Sequence, residues 1–253
     1  MRPARIAELL EPFLSNSCHS ESGRGPGEEP AVLSSSQLDR ISTYIDLLIH
    51  WNSRINLTAI REPEEIVARH FGESFFAARH LFPEKNFLQG HAREGHDFSR
   101  ANADSRQNGA LAPEVRIRLA DLGSGAGFPG IPIKLWAPRI ALTLIESNHK
   151  KATFLREVVR SLTLTDVDIQ NARAESITQT YDAVTLRAVE HFGDALRVAA
   201  RLTTPTGRLA LLIGSSQVDE AHSTLPRSAW QTPVPVPHSQ SRILLMGTVA
   251  PAV

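Results

Sequence analysis

Apolar positions along the chain follow two periods. In MRPARIAELLEPFL, residues 1–14, they mix with Glu8 and Glu11 as in a short amphipathic helix. SSSQLDRISTYIDLLIHWNSRIN repeats the helical spacing at Leu38, Ile41, Ile45, Leu48 and Trp51, behind a Ser36-x-x-Asp39 start signal. A further helix is expected from Pro63, a favourable first-turn residue. Ile66, Val67, His70, Phe71, Phe75, Ala78 and Leu81 line one of its faces. On that face His70 reads as a packing histidine rather than an RNA contact.

After residue 115 short apolar strands alternate with helical segments. Strands are expected at 116–122, 140–146, 167–171, 181–187 and 207–213, with helices near 130–137, 148–162, 189–201 and 216–223. SRILLMGTV (241–249) reads as a last strand, and the Pro-rich WQTPVPVPH before it suits an edge strand or loop. This succession predicts an α/β fold, a parallel sheet with helices on both faces. The Ser/Gly/Pro/Glu-rich stretch 15–33 reads as a loop, and 86–114 as a flexible insert or linker. The expected organisation is an N-terminal helical region (1–85), that insert (86–114) and an α/β domain (115–253).

Composition changes this picture little. Hydrophobic residues make up 42% of 253, enough for a sizeable core, and the formal net charge is zero. Charge is uneven, however. Between Arg116 and Arg160, eight basic residues (Arg116, Arg118, Lys134, Arg139, Lys150, Lys151, Arg156, Arg160) face only Asp121, Glu146 and Glu157. A face of that kind can steer nucleic acid. Arg156 and Arg160 lie one turn apart, with Leu155, Val158, Val159 and Leu162 turned inward. The single cysteine, Cys18, allows no intrachain disulfide and fits a reducing compartment. No run approaches 18 apolar residues, so no membrane span is expected, and a soluble cytoplasmic monomer is. His91 and His96 have no third ligand nearby, and no metal site is expected.

The chemistry concentrates in DLGSGAGFPG, Asp121 to Gly130, at the junction of the first strand and first helix of the α/β array. Ligands bind there in such folds, outside the carboxyl ends of the strands. A dinucleotide fingerprint beginning at Gly123 needs glycine at 128, where this chain has Phe128. The spacing Gly123-x-Gly125-x-Gly127 after Asp121 is instead that of S-adenosylmethionine-binding folds. The glycines let the backbone approach the methionyl part, and Asp121 can accept from its ammonium. Glu146, ending the second strand, can take both ribose hydroxyls. NARAES places Ala174 and Glu175 near the adenine edge. Arg187, ending the fourth strand, faces the transferable methyl, as an anchor for cofactor or substrate or in a structural ion pair.

Absences narrow the acceptor. Attack at a pyrimidine C5 usually needs a cysteine nucleophile, and Cys18 is remote in sequence. The Asn/Asp-Pro-Pro-aromatic motif common for exocyclic amines is replaced by LRAVEH. A lone-pair acceptor such as a purine N7 needs no general base, so no acid–base residue is expected, and catalysis is mostly positioning. Two other classes stay open. One is a non-catalytic RNA-binding or ribosome-assembly protein on a methyltransferase fold. The other, disfavoured by the glycine spacing, is an NAD-dependent oxidoreductase.

The segments WNSRINLTAIREPEEIVARHFGES (51–74), RLADLGSGAGFPGIPIKL (118–135), HKKATFLREV (149–158), RAES (173–176) and LRAVE (186–190) carry a resemblance. Over about 45–250 the chain resembles the bacterial small-subunit ribosomal RNA guanine-N7 methyltransferases, also called glucose-inhibited division protein B. The resemblance implies a Rossmann-like class I S-adenosylmethionine-dependent methyltransferase sheet with an N-terminal helical extension. It implies cofactor contacts at Gly123, Phe128, Ala174, Glu175 and Arg187, beside the Gly125 and Glu146 read above. It also implies a guanine of 16S rRNA, or of the small ribosomal subunit, as target. Family members often carry Lys-Gly or Lys-Ala after the fifth strand, where this chain has Ile213-Gly214. Its 90–114 segment is longer than the family's usual connection.

Overall fold

The computed structural model describes residues 1–15, 32–83 and 116–250. Cys18, His91, His96 and the 86–114 insert lie outside the described residues. Four helical segments come first: α1 (Pro3–Leu14), α2 (Ser35–Asn52), α3 (Pro63–Ile66) and α4 (Glu73–Leu81). A π-helical turn, Val67–Gly72, joins α3 to α4. The start of α2 differs from the sequence expectation. The cap is Ser34, not Ser36, because Ser34 and Gln37 exchange side-chain and backbone bonds in a full capping box.

The α/β array follows: β1 (Arg118–Leu122), α5 (Gly130–Trp136), β2 (Ala141–Ile145), α6 (His149–Ser161), β3 (Val167–Gln170), β4 (Tyr181–Arg187), α7 (Phe192–Leu202), β5 (Thr203–Gly214) and α8 (Val218–Thr224). Short strands β6 (Ala229–Trp230) and β7 (Val234–Pro235) precede β8 (Arg242–Thr248). The sheet runs β3-β2-β1-β4-β5-β8-β6, with β7 also on β8. The first five strands are parallel, as the alternation predicts. β8 pairs antiparallel with β5, so the sheet is mixed. The Pro-rich segment supplies only the two-residue strands β6 and β7 on β8, since proline cannot donate to a ladder.

Parallel strands buried on both faces need apolar residues pointing both ways. β1 does this: Leu119 joins one core, Ala120 and Leu122 the other. Helices α7 and α8 cover the second face, through Leu196, Ala199, Leu202 and Ala221. The first face meets α5 and α6 and also the N-terminal helices, so Ile6, Leu10, Ile41, Ile45, Phe71 and Phe75 share one core with Leu142 and Leu144. All of residues 71–78 are buried, more than one helical face provides. Gly72 permits this on one side, because a Cβ there would collide with the Phe13 ring.

Candidate functional site

The connection from β1 to α5 holds three residues in the left-handed region: Gly123 (φ +65°), Gly125 (+57°) and Gly127 (+89°). Side chains there are strained, which is why the sequence needs glycine. The three differ in surroundings. A Cβ on Gly127 would run into the Tyr44 hydroxyl and Ile131, whereas one on Gly125 would come no nearer to another atom than 3.7 Å, to the Gly123 carbonyl. Gly127 is therefore a packing glycine, and Gly125 faces open space. The loop is tied to β2 because the amides of Gly123 and Ser124 donate to the Ile145 carbonyl, at 2.9 and 3.1 Å.

Glu146 follows directly. Its Oε2 accepts from the Gly125 amide at 2.8 Å and its Oε1 from the Asn148 amide at 2.7 Å. A largely buried carboxylate thus stands against the open side of the loop. Asn148 caps α6, its side chain accepting from the amides of Lys150 and Lys151. Asn171, past β3, donates to the Glu146 and Ser147 carbonyls and fixes the next strand end.

Asp121 departs from its expected role of receiving an ammonium. Its carboxylate is enclosed, Oδ1 accepting from Thr185 Oγ1 (2.8 Å) and Oδ2 from the Gly130 amide (3.1 Å). It holds the first turn of α5 to the sheet. Burial pushes its carboxyl up to about 6, against the downward pull of hydrogen bonds from Thr185, Gly130 and Ser124.

The far side of the loop is built by the N-terminal helices. The Phe128 ring is buried between Tyr44 (centroids 5.3 Å apart) and His70 (4.8 Å), with Phe71 edge-on. Tyr44 donates its hydroxyl to the Ala126 carbonyl. His70 Nδ1 lies 3.1 Å from Arg187 Nη1 and Nε2 lies 2.7 Å from Thr58 Oγ1. Since arginine only donates, Nδ1 is the acceptor and Nε2 carries the proton. Burial, followed by the charge of Arg187, lowers His70 to about 3. It is the packing histidine the sequence suggests. Arg187 also donates to Glu73 (3.0 and 3.2 Å) and to the Arg69 carbonyl (2.9 Å). Of the two roles open to Arg187, the structure displays the ion pair, and the same residue lines a cleft beside Val189 and Ile213.

The model of the family described as rRNA small subunit methyltransferase G matches residues 37–89 and 98–239. The protein of that name from Xylella fastidiosa strain 9a5c is 36% identical over 191 residues, covering 73% of this chain and 74% of that one. The one from Desulfitobacterium hafniense is 34% identical over 194 residues, 74% and 67% of the two chains. Among solved structures, an S-adenosylmethionine-dependent methyltransferase from Aquifex aeolicus covers 53% of this chain and 82% of its own, at 16% identity and a TM-score of 0.46. The chain belongs to the small-subunit rRNA methyltransferase G family.

The remaining expected positions of this rRNA methyltransferase fall into two groups. Ala174 and Glu175 form a 3-10 turn (Ala174–Ser176) past β3, two strands from the glycine loop. Arg201 of α7 donates to the carbonyls of Ala174, Glu175 and Ile177, and holds that turn in place. The expected basic face does not survive as one patch. Lys134 is buried and donates to the Pro138 and Ile140 carbonyls, burial lowering its pKa. Arg116 and Arg118 pair with Asp166 and Asp182 at the amino end of the sheet. Lys150, Arg156 and Arg160 of α6 do remain exposed.

Tyr44, Glu73 and Arg201 were missed from sequence. Tyr44 sits on the apolar stripe of α2 but is the one buried residue there with a polar tip. Glu73 is a carboxylate within a wholly buried helical stretch, which is a signal in itself, since such groups are almost never buried unpaired. Arg201 gives none.

Proposed function

We propose that this methyltransferase takes the methyl group of S-adenosylmethionine to N7 of a guanine in 16S rRNA. The open, left-handed Gly125 with Glu146 against it carries the reading. The loop leaves room where a Cβ would stand, and the adjacent carboxylate is suited to a ribose diol. Gly123, Gly125 and Glu146 would hold the donor's methionyl and ribose parts, and Ala174 and Glu175 its adenine edge. Phe128 would contribute backbone, because its ring is committed to the Tyr44–His70 stack.

When bound, the donor supplies an electrophilic methyl group on a sulfonium. The chain's own task is to hold an acceptor lone pair in line with it, and N7 loses no proton on methylation. No general base is therefore required, and positioning alone supplies several kcal/mol. Arg187 engages four of its five N–H groups with Glu73, His70 and the Arg69 carbonyl, leaving one Nη1 hydrogen for a ligand in the cleft. An rRNA substrate is in keeping with a cytoplasmic protein, and a monomer is the state we propose. Among the described residues no helix is long and apolar enough to cross a membrane, and only Val32 and Ile49 are exposed large apolar side chains.

Transfer of a tritiated methyl group to 30S subunits or to 16S rRNA from a strain lacking the modification tests this, with the product mapped by mass spectrometry. Label in 7-methylguanine is expected. No label in either substrate, or label in another base, would overturn the acceptor.

A further inference from the structure

The cleft at the carboxyl ends of β4 and β5 has a volume of about 400 Å³, within the range of small-ligand sites. Three arginines line it, Arg69, Arg187 and Arg242, and among the described residues no carboxylate does. They come from three separate parts of the chain. Arg69 lies on the π-helical turn, Arg187 ends β4, and Arg242 opens β8 opposite Gly214. Glu73 sits behind the wall and compensates chiefly Arg187, at 3.0 Å, with Arg242 Nε at 3.7 Å from its other oxygen. Glu65 reaches Arg69 only at 3.5 Å, where both side chains are about half exposed. The cleft therefore presents more positive charge than its neighbours neutralise, and Arg69 (49% exposed) and Arg242 (23%) keep access to solvent.

Two kinds of RNA group could meet these guanidiniums, the base or the backbone. Methylation at N7 leaves the purine positively charged. Guanidiniums without a close counter-charge would oppose that charge if they lay against the base, whereas against a phosphate they would not. Arg187, on the inner wall, is balanced by Glu73 at 3.0 Å. Apolar Val189, Phe192 and Ile213 also line the cleft and suit a base face.

We propose that Arg69 and Arg242 form a subsite for a backbone phosphate of the target nucleotide, at the mouth of the cleft whose inner wall takes the base. This rests on the methyl-transfer reading above. Phosphate contacts position RNA without reading sequence, and each gives a characteristic salt dependence.

The test is filter binding of the full chain to transcribed 16S rRNA over a range of salt, for wild type, Arg69→Gln, Arg242→Gln and Arg242→Lys, beside KM and kcat for RNA. Each Gln variant should weaken RNA binding about tenfold at low salt and shrink the slope of log affinity against log salt by about 0.7. KM should rise more than kcat falls, and donor affinity measured by calorimetry without RNA should be retained. Arg242→Lys should recover most of the binding, because a point charge suffices for phosphate. Arg69 is exposed and weakly paired, so its variant reports on the subsite even if Arg242→Gln disturbs Glu73. Wild-type slopes in both Gln variants, or a loss confined to kcat, would overturn the subsite. A wild-type protein that binds RNA but transfers no methyl counts against the function instead, and the slopes still decide the phosphate contact.

Discussion

Tyr44 and Phe128 stack with ring planes 3° apart, although 84 positions separate them in the chain. One belongs to the N-terminal helix α2 and the other to the exit of the glycine loop. The Tyr44 hydroxyl, buried and with its pKa raised well above the usual tyrosine range by that burial, donates to the Ala126 carbonyl in the same loop. The N-terminal helices thus pack directly against the glycine loop, which is the proposed donor niche.

Tyr44→Phe should keep the stack and lose the donor, leaving the Ala126 carbonyl unsatisfied. The expected cost is about 1–3 kcal/mol of stability, with weaker binding of S-adenosylmethionine. Urea denaturation and calorimetry read the two effects. Unchanged affinity would mean that the loop keeps its shape without α2.

The glycines of the loop should separate by phenotype. Gly127→Ala adds a Cβ against Tyr44 and Ile131 in a left-handed conformation, and should cost about 2–5 kcal/mol. Gly125→Asp meets open space and a backbone conformation that Asp tolerates, so the fold should persist. Donor binding should nevertheless be abolished, because bulk and charge enter the niche beside Glu146. Near-normal donor affinity in Gly125→Asp would place the donor elsewhere.

If Arg187 anchors a ligand in the cleft as proposed, Arg187→Ala should lower turnover strongly. Stability should fall as well. The Arg187 and Glu73 side chains are 8% and 4% exposed, so removing Arg187 leaves a buried carboxylate with only Arg242, at 3.7 Å, and should cost about 3 kcal/mol. Adding Glu73→Gln should restore part of the stability but not the turnover. Denaturant midpoints of the single and double variants check this.

Acid should destabilise the protein through His70. Its folded pKa, about 3, lies below the ordinary 6.5, so its contribution is complete above pH 6.5 and is lost as pH falls towards 3. Asp121 acts in the opposite sense. Raised from 3.8 to about 6, its contribution is complete below pH 3.8 and is lost as pH rises through 6. The His70 shift is the larger, so net stability should fall on acidification from pH 7 to 4.5. Asp121→Asn should steepen that fall and His70→Gln should flatten it, in urea titrations across the range. A wild-type stability that does not change over this interval would contradict the buried, neutral His70.

What the sequence by itself determined is what depends on neighbours in the chain. Alternating apolar runs marked the first five sheet strands and β8, helical spacing marked α2 and α6, and the glycine spacing marked a loop of left-handed residues with Glu146 one strand away. Each follows from local geometry, in which a period of two or 3.6 residues, or a φ that only glycine adopts freely, leaves its trace within a few positions. Tertiary structure decided which of these residues face a ligand and which face the core. Asp121, read as a ligand residue, went to Thr185 and Gly130. Lys134, counted in a basic face, went to two backbone carbonyls. Arg187 found Glu73 114 positions away, and Ala174 is held by Arg201. No local period encodes such pairs, because they arise only when packing removes water from polar groups and obliges each to find a partner wherever the fold has brought one.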